Sequence, residues 1–440
     1  MKRIIFLTCL LFVAFNVKAQ EINKAKLDSL LSMVEEYQKG MGSLSIFRNG
    51  KEIYQKSIGY SDTEHKIEAG KNTKYRIGSV SKMFTATIIM QLVEKGKLTT
   101  ESKLSEFFPD LPHADKITVL HLLKHQSGVF DLTNSPTFDR WKLNPKTKDE
   151  VLGLIKTNET VFNPGERTQY SNTNYVLLTY IAEKIEDEDF SKILKRRITK
   201  PLRLKNTYLG SAINPKDKEA FSYAKMGNWH KGEETHFSIP QGAGLIVSTP
   251  TDLNTFIWAL SNGELVNKTS LERMQEMEGG YGIGLNPINI DGEKMIGHTG
   301  RIDNFSSVLC LDPVRNISFA YTSNGVDMPA IDLLKGIFSI SFGKEYKLPS
   351  FSAPYVNKPE DLKPLEGVYG NQTFPLKVKI YTANGVLMAD GVGQKPIYLE
   401  AIEKNKFKFE RANLTLEFIP AENKMLFTRG DRTEALEKDI

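Results

Sequence analysis

Three Ser-x-x-Lys tetrads occur in this chain: Ser79 with Lys82, Ser222 with Lys225, and Ser341 with Lys344. On a helix this spacing stacks a hydroxyl and an amine one turn apart on one face, the arrangement a serine nucleophile and its base require. The pattern alone is weak, and context separates the three. Ser222 lies in a stretch rich in glycine and aromatic residues, while Ser341 is followed by Gly343 and Pro349, so neither opens a helix. Ser79, directly after Gly78, does. At a helix start the free N–H groups and the positive dipole end favour an oxyanion and disfavour a charged lysine. To be half neutral at pH 7, Lys82 would need its pKa lowered by about 3.4 from a free value near 10.4, a cost of about 4.6 kcal/mol that burial could impose. The plainer reading of such a tetrad is an N-capping serine followed by a surface lysine.

Two further groups are candidates. Tyr170-Ser171-Asn172 offers a phenol that can relay a proton and an amide that can orient both a lysine and a substrate carbonyl. The same pair recurs at Tyr355 and Asn357, in a proline-rich stretch unsuited to catalysis. His298-Thr299-Gly300 precedes a pair of strand-like segments, so its backbone could lie along a bound substrate with Thr299 donating a hydrogen bond; taken alone it reads as a tight turn.

The elements that must position these groups follow from periodicity. Leu27, Leu30, Leu31 and Val34 predict an amphipathic helix ending at Gly40. Ser43–Arg48 and Glu52–Tyr60 predict a hairpin turning at Asn49-Gly50. Phe84, Ile88 and Leu92, with Ile89 and Val93, predict a mostly buried helix from Ser79 to Lys97, and helical patterns continue to about Leu204. Strands are expected again at Gly244–Ser248, Tyr281–Leu285, Phe305–Leu311 and Ile317–Thr322, then a helix over Ala330–Phe338. Early and late strands around a helical middle imply one antiparallel sheet built from both chain ends, an α+β fold with an inserted helical subdomain. Residues 349–364, with four prolines, read as a linker. Alternation at Leu376, Val378 and Ile380 and at Phe407, Phe409, Leu414, Leu416 and Phe418 predicts a small antiparallel β-barrel over 365–440.

Taken in order, Tyr75-Arg76-Ile77-Gly78-Ser79-Val80-Ser81-Lys82, Tyr170-Ser171-Asn172 and Gly297-His298-Thr299-Gly300 resemble the family of class C β-lactamases and D-alanyl-D-alanine carboxypeptidases. His121-Leu122-Leu123 through Ser127-Gly128, Pro164-Gly165, Pro201-Leu202 to Asn206-Thr207 and Gly242-Ala243-Gly244-Leu245 are similar to that family as well. The resemblance covers about residues 30 to 345 and implies a β-lactamase/transpeptidase-like catalytic domain over 20–348. It implies Ser79 as acylated nucleophile, Lys82 and Tyr170 as its base pair, and Asn172 as a substrate contact. His298, Thr299 and Gly300 would line the substrate, and the backbone N–H groups of Ser79 and Arg301 would hold the oxyanion. Two departures stand out. His298 occupies the place of the lysine usual in dedicated lactamases, which weakens the case for strong lactamase activity, and Arg301 stands where the family has a small residue. The C-terminal strands look like a lipocalin-like barrel.

Other chemistry is set aside. His121 and His125 are four apart, but Leu122 stands where a zincin would carry glutamate, so no metal or other cofactor is expected. No Gly-x-Ser-x-Gly elbow occurs. Lys2 and Arg3, the apolar run Ile4–Phe15 and Val17-Lys18-Ala19 read as a signal peptide over residues 1–19, predicting a periplasmic or secreted protein. A lipid on Cys9 is the disfavoured alternative, since no small residues precede it. Three basic residues leave with that leader, so 55 basic side chains face 53 acidic ones. Such balance gives no pull towards nucleic acid. Only Cys310 would remain, which excludes an intramolecular disulfide. No mature segment has the apolar length of a membrane span. The expected partner is a small-molecule or peptide substrate (a peptidoglycan-type peptide, an ester or a β-lactam), and a monomer is expected. Two function classes stay open: an acyl-serine hydrolase with carboxypeptidase, esterase or lactamase activity, or a non-catalytic binder that keeps the fold.

Overall fold

The computed structural model describes residues 21–351, 353–391 and 396–439; the expected leader lies outside them. A six-stranded antiparallel sheet forms the frame, in the order Asn286–Ile290, Glu293–Ile302, Phe305–Asp312, Ile317–Val326, Gly40–Arg48 and Lys51–Ile58. An early strand, Gly40–Arg48, and a late one, Ile317–Val326, therefore meet inside the sheet, where Ile46 faces Phe319 and Leu44 faces Tyr321. Alternation sends Val308 and Cys310 of one strand into a core with the Lys24–Glu36 and Ala330–Ser341 helices, and Leu309 and Leu311 into a second core on the other face. That second core holds Phe84 stacked on Phe256, with ring centroids 3.7 Å apart, and carries the helical segment.

Most expected elements are present, with three corrections. The first helix stops at Glu36, and Gly40 already opens a strand. Tyr281–Leu285 is no strand: its apolar alternation comes from a loop that buries Ile283 and Leu285 against the helical core. His298-Thr299-Gly300 is no turn, because it lies inside the Glu293–Ile302 strand with His298 opposite Leu309 and Gly300 opposite Ser307. The hairpin Tyr223–Met226 with Asn228–Lys231 had no counterpart in the sequence reading.

Eight antiparallel strands from Gly367–Gly370 to Arg432–Lys438 close into a barrel, the first pairing with the last. Leu387, Leu399, Phe407, Leu416, Met425 and Leu436 fill its interior. The stretch expected as linker ends in a short helix, Pro359–Leu362, whose Leu362 is part of this barrel core. Where the barrel meets the sheet, the buried Lys39 ammonium bonds Glu400 of the barrel and lies 3.7 Å from Asp327.

Candidate active site

Ser79 sits in a single 3-10 turn, Gly78–Val80, that runs straight into the Ser81–Glu94 helix. Gly78 has φ +52°, and a Cβ there would lie 2.6 Å from the Arg301 nitrogen, so the turn that carries Ser79 is pressed against the backbone of the neighbouring strand. Gly300 permits the same approach from the other side: its Cβ would meet the Ile77 carbonyl oxygen at 2.1 Å. Ser307 fastens the junction by donating to that carbonyl at 2.7 Å. The early N–H groups of a helical turn have no internal partner. The Ser79 and Arg301 backbones thus lie side by side where the oxyanion donors are expected.

Lys82, one turn on, is fully buried. Its Nζ lies 3.0 Å from Ser79 Oγ and donates to Asn172 Oδ1 and to the Ala243 carbonyl, each at 2.8 Å. Burial lowers its pKa to about 7, against the opposing pull of Asp131. A neutral amine carries two N–H donors and one lone pair. With both donors held by carbonyls, the lone pair faces the serine hydroxyl.

Tyr170 donates from Oη to Ser79 Oγ at 2.8 Å. Burial pushes the phenol well above its usual range, so it stays protonated at neutral pH and is placed to relay a proton, while Lys82 is the group placed to accept one. Asn172 begins the Asn172–Glu186 helix. Its Nδ2 donates to Asp131 Oδ2 at 3.0 Å, and because a carboxylate only accepts, this contact turns Oδ1 towards Lys82.

His298 is also buried, with its ring 6.4 Å from that of Tyr170 and its Nδ1 donating to the Thr299 carbonyl at 2.5 Å. Burial, helped by the charge of Lys82, lowers its pKa to about 4. The ring is neutral, so it cannot hold a carboxylate by charge. Thr299 and Arg301 are exposed on the same strand. Ser79, Lys82, Tyr170 and Asn172 therefore form one hydrogen-bonded cluster, with the 298–301 strand along its edge.

Two groups outside the sequence motifs belong to this cluster. Asp131 accepts from the Asn172 and Thr133 backbones and side chains. His125, considered only as a metal ligand in the sequence, packs under Tyr170 at 4.4 Å between centroids and accepts from the Ser171 N–H at 3.2 Å. Burial and the charge of Lys82 keep it well below the usual histidine range. Among the described residues the one group able to gather around a metal ion is Asp62, Glu64 and His65, of which Glu64 and His65 are exposed and none belongs to the cluster.

The Beta-lactamase family model matches residues 30–339. The chain belongs to the beta-lactamase family. Penicillin-binding protein 4* of Bacillus subtilis (strain 168) is 25% identical over 448 residues, which cover 94% of this chain and 99% of that protein. Protein flp of Staphylococcus aureus (strain MRSA252) is 27% identical over 323 residues, and the chain spans 63% of its length. A D-stereospecific amidohydrolase from Streptomyces sp. superposes with a TM-score of 0.63 and 26% identity over 73% of this chain and all of that one. An octameric penicillin-binding protein homologue from Pyrococcus abyssi gives a TM-score of 0.65 and 25% identity over 94% of this chain and all of that one. The family and these neighbours are those of penicillin-recognising serine hydrolases.

Proposed function

We propose that this member of the family is a working hydrolase that cleaves amide or ester bonds through an acyl-Ser79 intermediate. The observation that carries the reading is the Lys82 amine, buried, with a pKa near 7 and both donors engaged, 3.0 Å from the serine hydroxyl. In the forward step Ser79 Oγ attacks the substrate carbonyl carbon while its proton passes to Lys82. The oxyanion forms against the backbone N–H groups of Ser79 and Arg301, where each donor is worth on the order of 3 kcal/mol. Collapse breaks the bond to the leaving amine or alcohol, which takes a proton through Tyr170. Water then attacks the acyl-enzyme by the same route in reverse, and the acid departs. Gly300 keeps the strand close enough for this hole, and Asn172, besides orienting Lys82, offers its amide to the substrate.

The Streptomyces neighbour is described as an amidohydrolase, which favours amides among the substrates. The neutral His298 disfavours recognition that depends on a fixed positive charge at that position, and strong lactamase turnover with it. Export rests on the basic and apolar order of residues 2–19.

Labelling with a fluorophosphonate and with a fluorescent penicillin, mapped by mass spectrometry, tests the reading. The adduct is expected on Ser79 and absent from Ser79→Ala. Equal labelling of both proteins, or of neither, would leave the non-catalytic binder as the better account. D-Ala-D-Ala peptides, short-chain esters and a chromogenic cephalosporin then rank the activities.

A further inference from the structure

A recess of about 230 Å³ opens beside Ser79 and Asn172. Leu132, Trp141, Val176 and Ile239 supply much of its wall. Three of the charged groups that reach it, Asp131, Asp303 and Lys142, are already engaged. Asp131 is bonded by Asn172 and Thr133, Asp303 by Thr235 and Arg76, and the Lys142 ammonium lies 2.6 Å from Asp139. Arg301 lies exposed at the mouth. Such a space favours an apolar group, and it exceeds the roughly 150 Å³ in which an apolar protein cavity holds a benzene molecule.

The side of the scissile bond follows from proton transfer. Whatever protonates the leaving group must stand next to it, and the phenol doing so, Tyr170, touches Ser79 at 2.8 Å yet takes no part in lining the recess. Lys82 and His298 are likewise absent from its walls, whereas Asn172 is present. The leaving group therefore departs on the Tyr170 side, and the recess faces the half of the substrate that stays on the serine.

We propose that this recess is the acyl-side specificity pocket, and that the preferred substrates carry one bulky apolar group, aromatic or branched aliphatic, on the acyl half of the amide or ester. The proposal rests on Ser79 acting as the acylated nucleophile. Burying one such side chain in the transition state raises kcat/KM by about tenfold to a hundredfold over a methyl group.

The test is a series of p-nitrophenyl esters that share a leaving group and differ in acyl group: acetyl, isovaleryl and 3-phenylpropanoyl. Each kcat/KM is divided by the ester's hydroxide rate. The normalised ratio of 3-phenylpropanoyl to acetyl is expected at tenfold or more, and Trp141→Ala and Ile239→Ala should each compress it several-fold. Two wall variants are used so that a folding failure of one leaves the other informative. A flat series, a preference for acetyl, or a ratio that neither variant changes overturns the pocket while Ser79 still labels with fluorophosphonate. Absence of that label in the wild-type protein overturns the nucleophile reading instead, and the pocket with it.

Discussion

Replacing Asp131 by asparagine isolates the electrostatics of the base. Asp131 is buried and reaches Lys82 through one amide: Asn172 receives the lysine at 2.8 Å and donates to the carboxylate at 3.0 Å. That geometry puts the two charges roughly 7 Å apart, where an effective dielectric near 20 gives an attraction of about 2 kcal/mol. The carboxylate favours the ammonium form of Lys82, so its removal lets the free amine persist to lower pH. The acid limb of kcat/KM reports the free enzyme's essential base. In the wild type it should fall near pH 7, and in Asp131→Asn it should move down by about one and a half pH units. The plateau should drop as well, by about tenfold, because asparagine no longer dictates which way the Asn172 amide points. Hydrolysis of a neutral ester between pH 4 and 9 gives both quantities, with thermal unfolding as the control for folding. An acid limb that stays put or moves upward would refute the assignment of Lys82 as the titrating base.

Gly78→Ala should cost about a hundredfold in kcat, since a methyl group 2.6 Å from the Arg301 nitrogen, on a backbone with φ +52°, displaces one oxyanion donor; unchanged ester turnover would sink that geometry. Lys39→Met leaves Asp327 and Glu400 buried without their ammonium partner and should lower stability by about 3–5 kcal/mol at pH 7.5 in urea unfolding. Burial raises the Asp327 carboxyl to about 6, so the native state binds its proton more tightly than the unfolded chain does. Stability is therefore regained as pH falls through 6 towards 4, and the deficit at pH 5 should be smaller than at pH 7.5.

What could be read from the chain divides along a physical line. Side-chain types at helical spacing exposed Ser79 and Lys82, and their helix was legible because Phe84, Ile88 and Leu92, with Ile89 and Val93 beside them, mark a segment that is buried nearly all round. Alternation exposed the barrel and the Phe305–Asp312 and Ile317–Val326 strands. Asp131 gave no signal, being a single carboxylate in a loop whose role exists only once Asn172 stands beside it. Nor did the Ala243 acceptor, since a backbone carbonyl has no letter of its own; its surroundings, Gly242-Ala243-Gly244-Leu245, were noticed solely through the family resemblance. Tyr281–Leu285 misled because its apolar side chains fall at alternate positions as in a strand, whereas the loop buries Gly282 and Gly284 along with Ile283 and Leu285. His298 could be counted as a histidine but not as a neutral one, because its pKa depends on burial that the folded strand supplies.

That neutrality bears on the whole site. Lys82, His125 and His298 share one buried space, and charge on the lysine opposes charge on either ring. The lysine keeps the highest affinity for a proton, near 7 against about 4 for His298, so the first proton to enter on acidification goes to the base. The charge it places on Lys82 is part of what holds both histidines below their usual range. Across neutral pH the cluster therefore holds at most one added proton, and that proton occupies the lone pair that faces Ser79. A carboxylate substrate group would find no histidinium to meet it in the active range. On the acyl side, where neither histidine lines the recess next to Ser79, Leu132, Trp141, Val176 and Ile239 offer contacts that do not titrate.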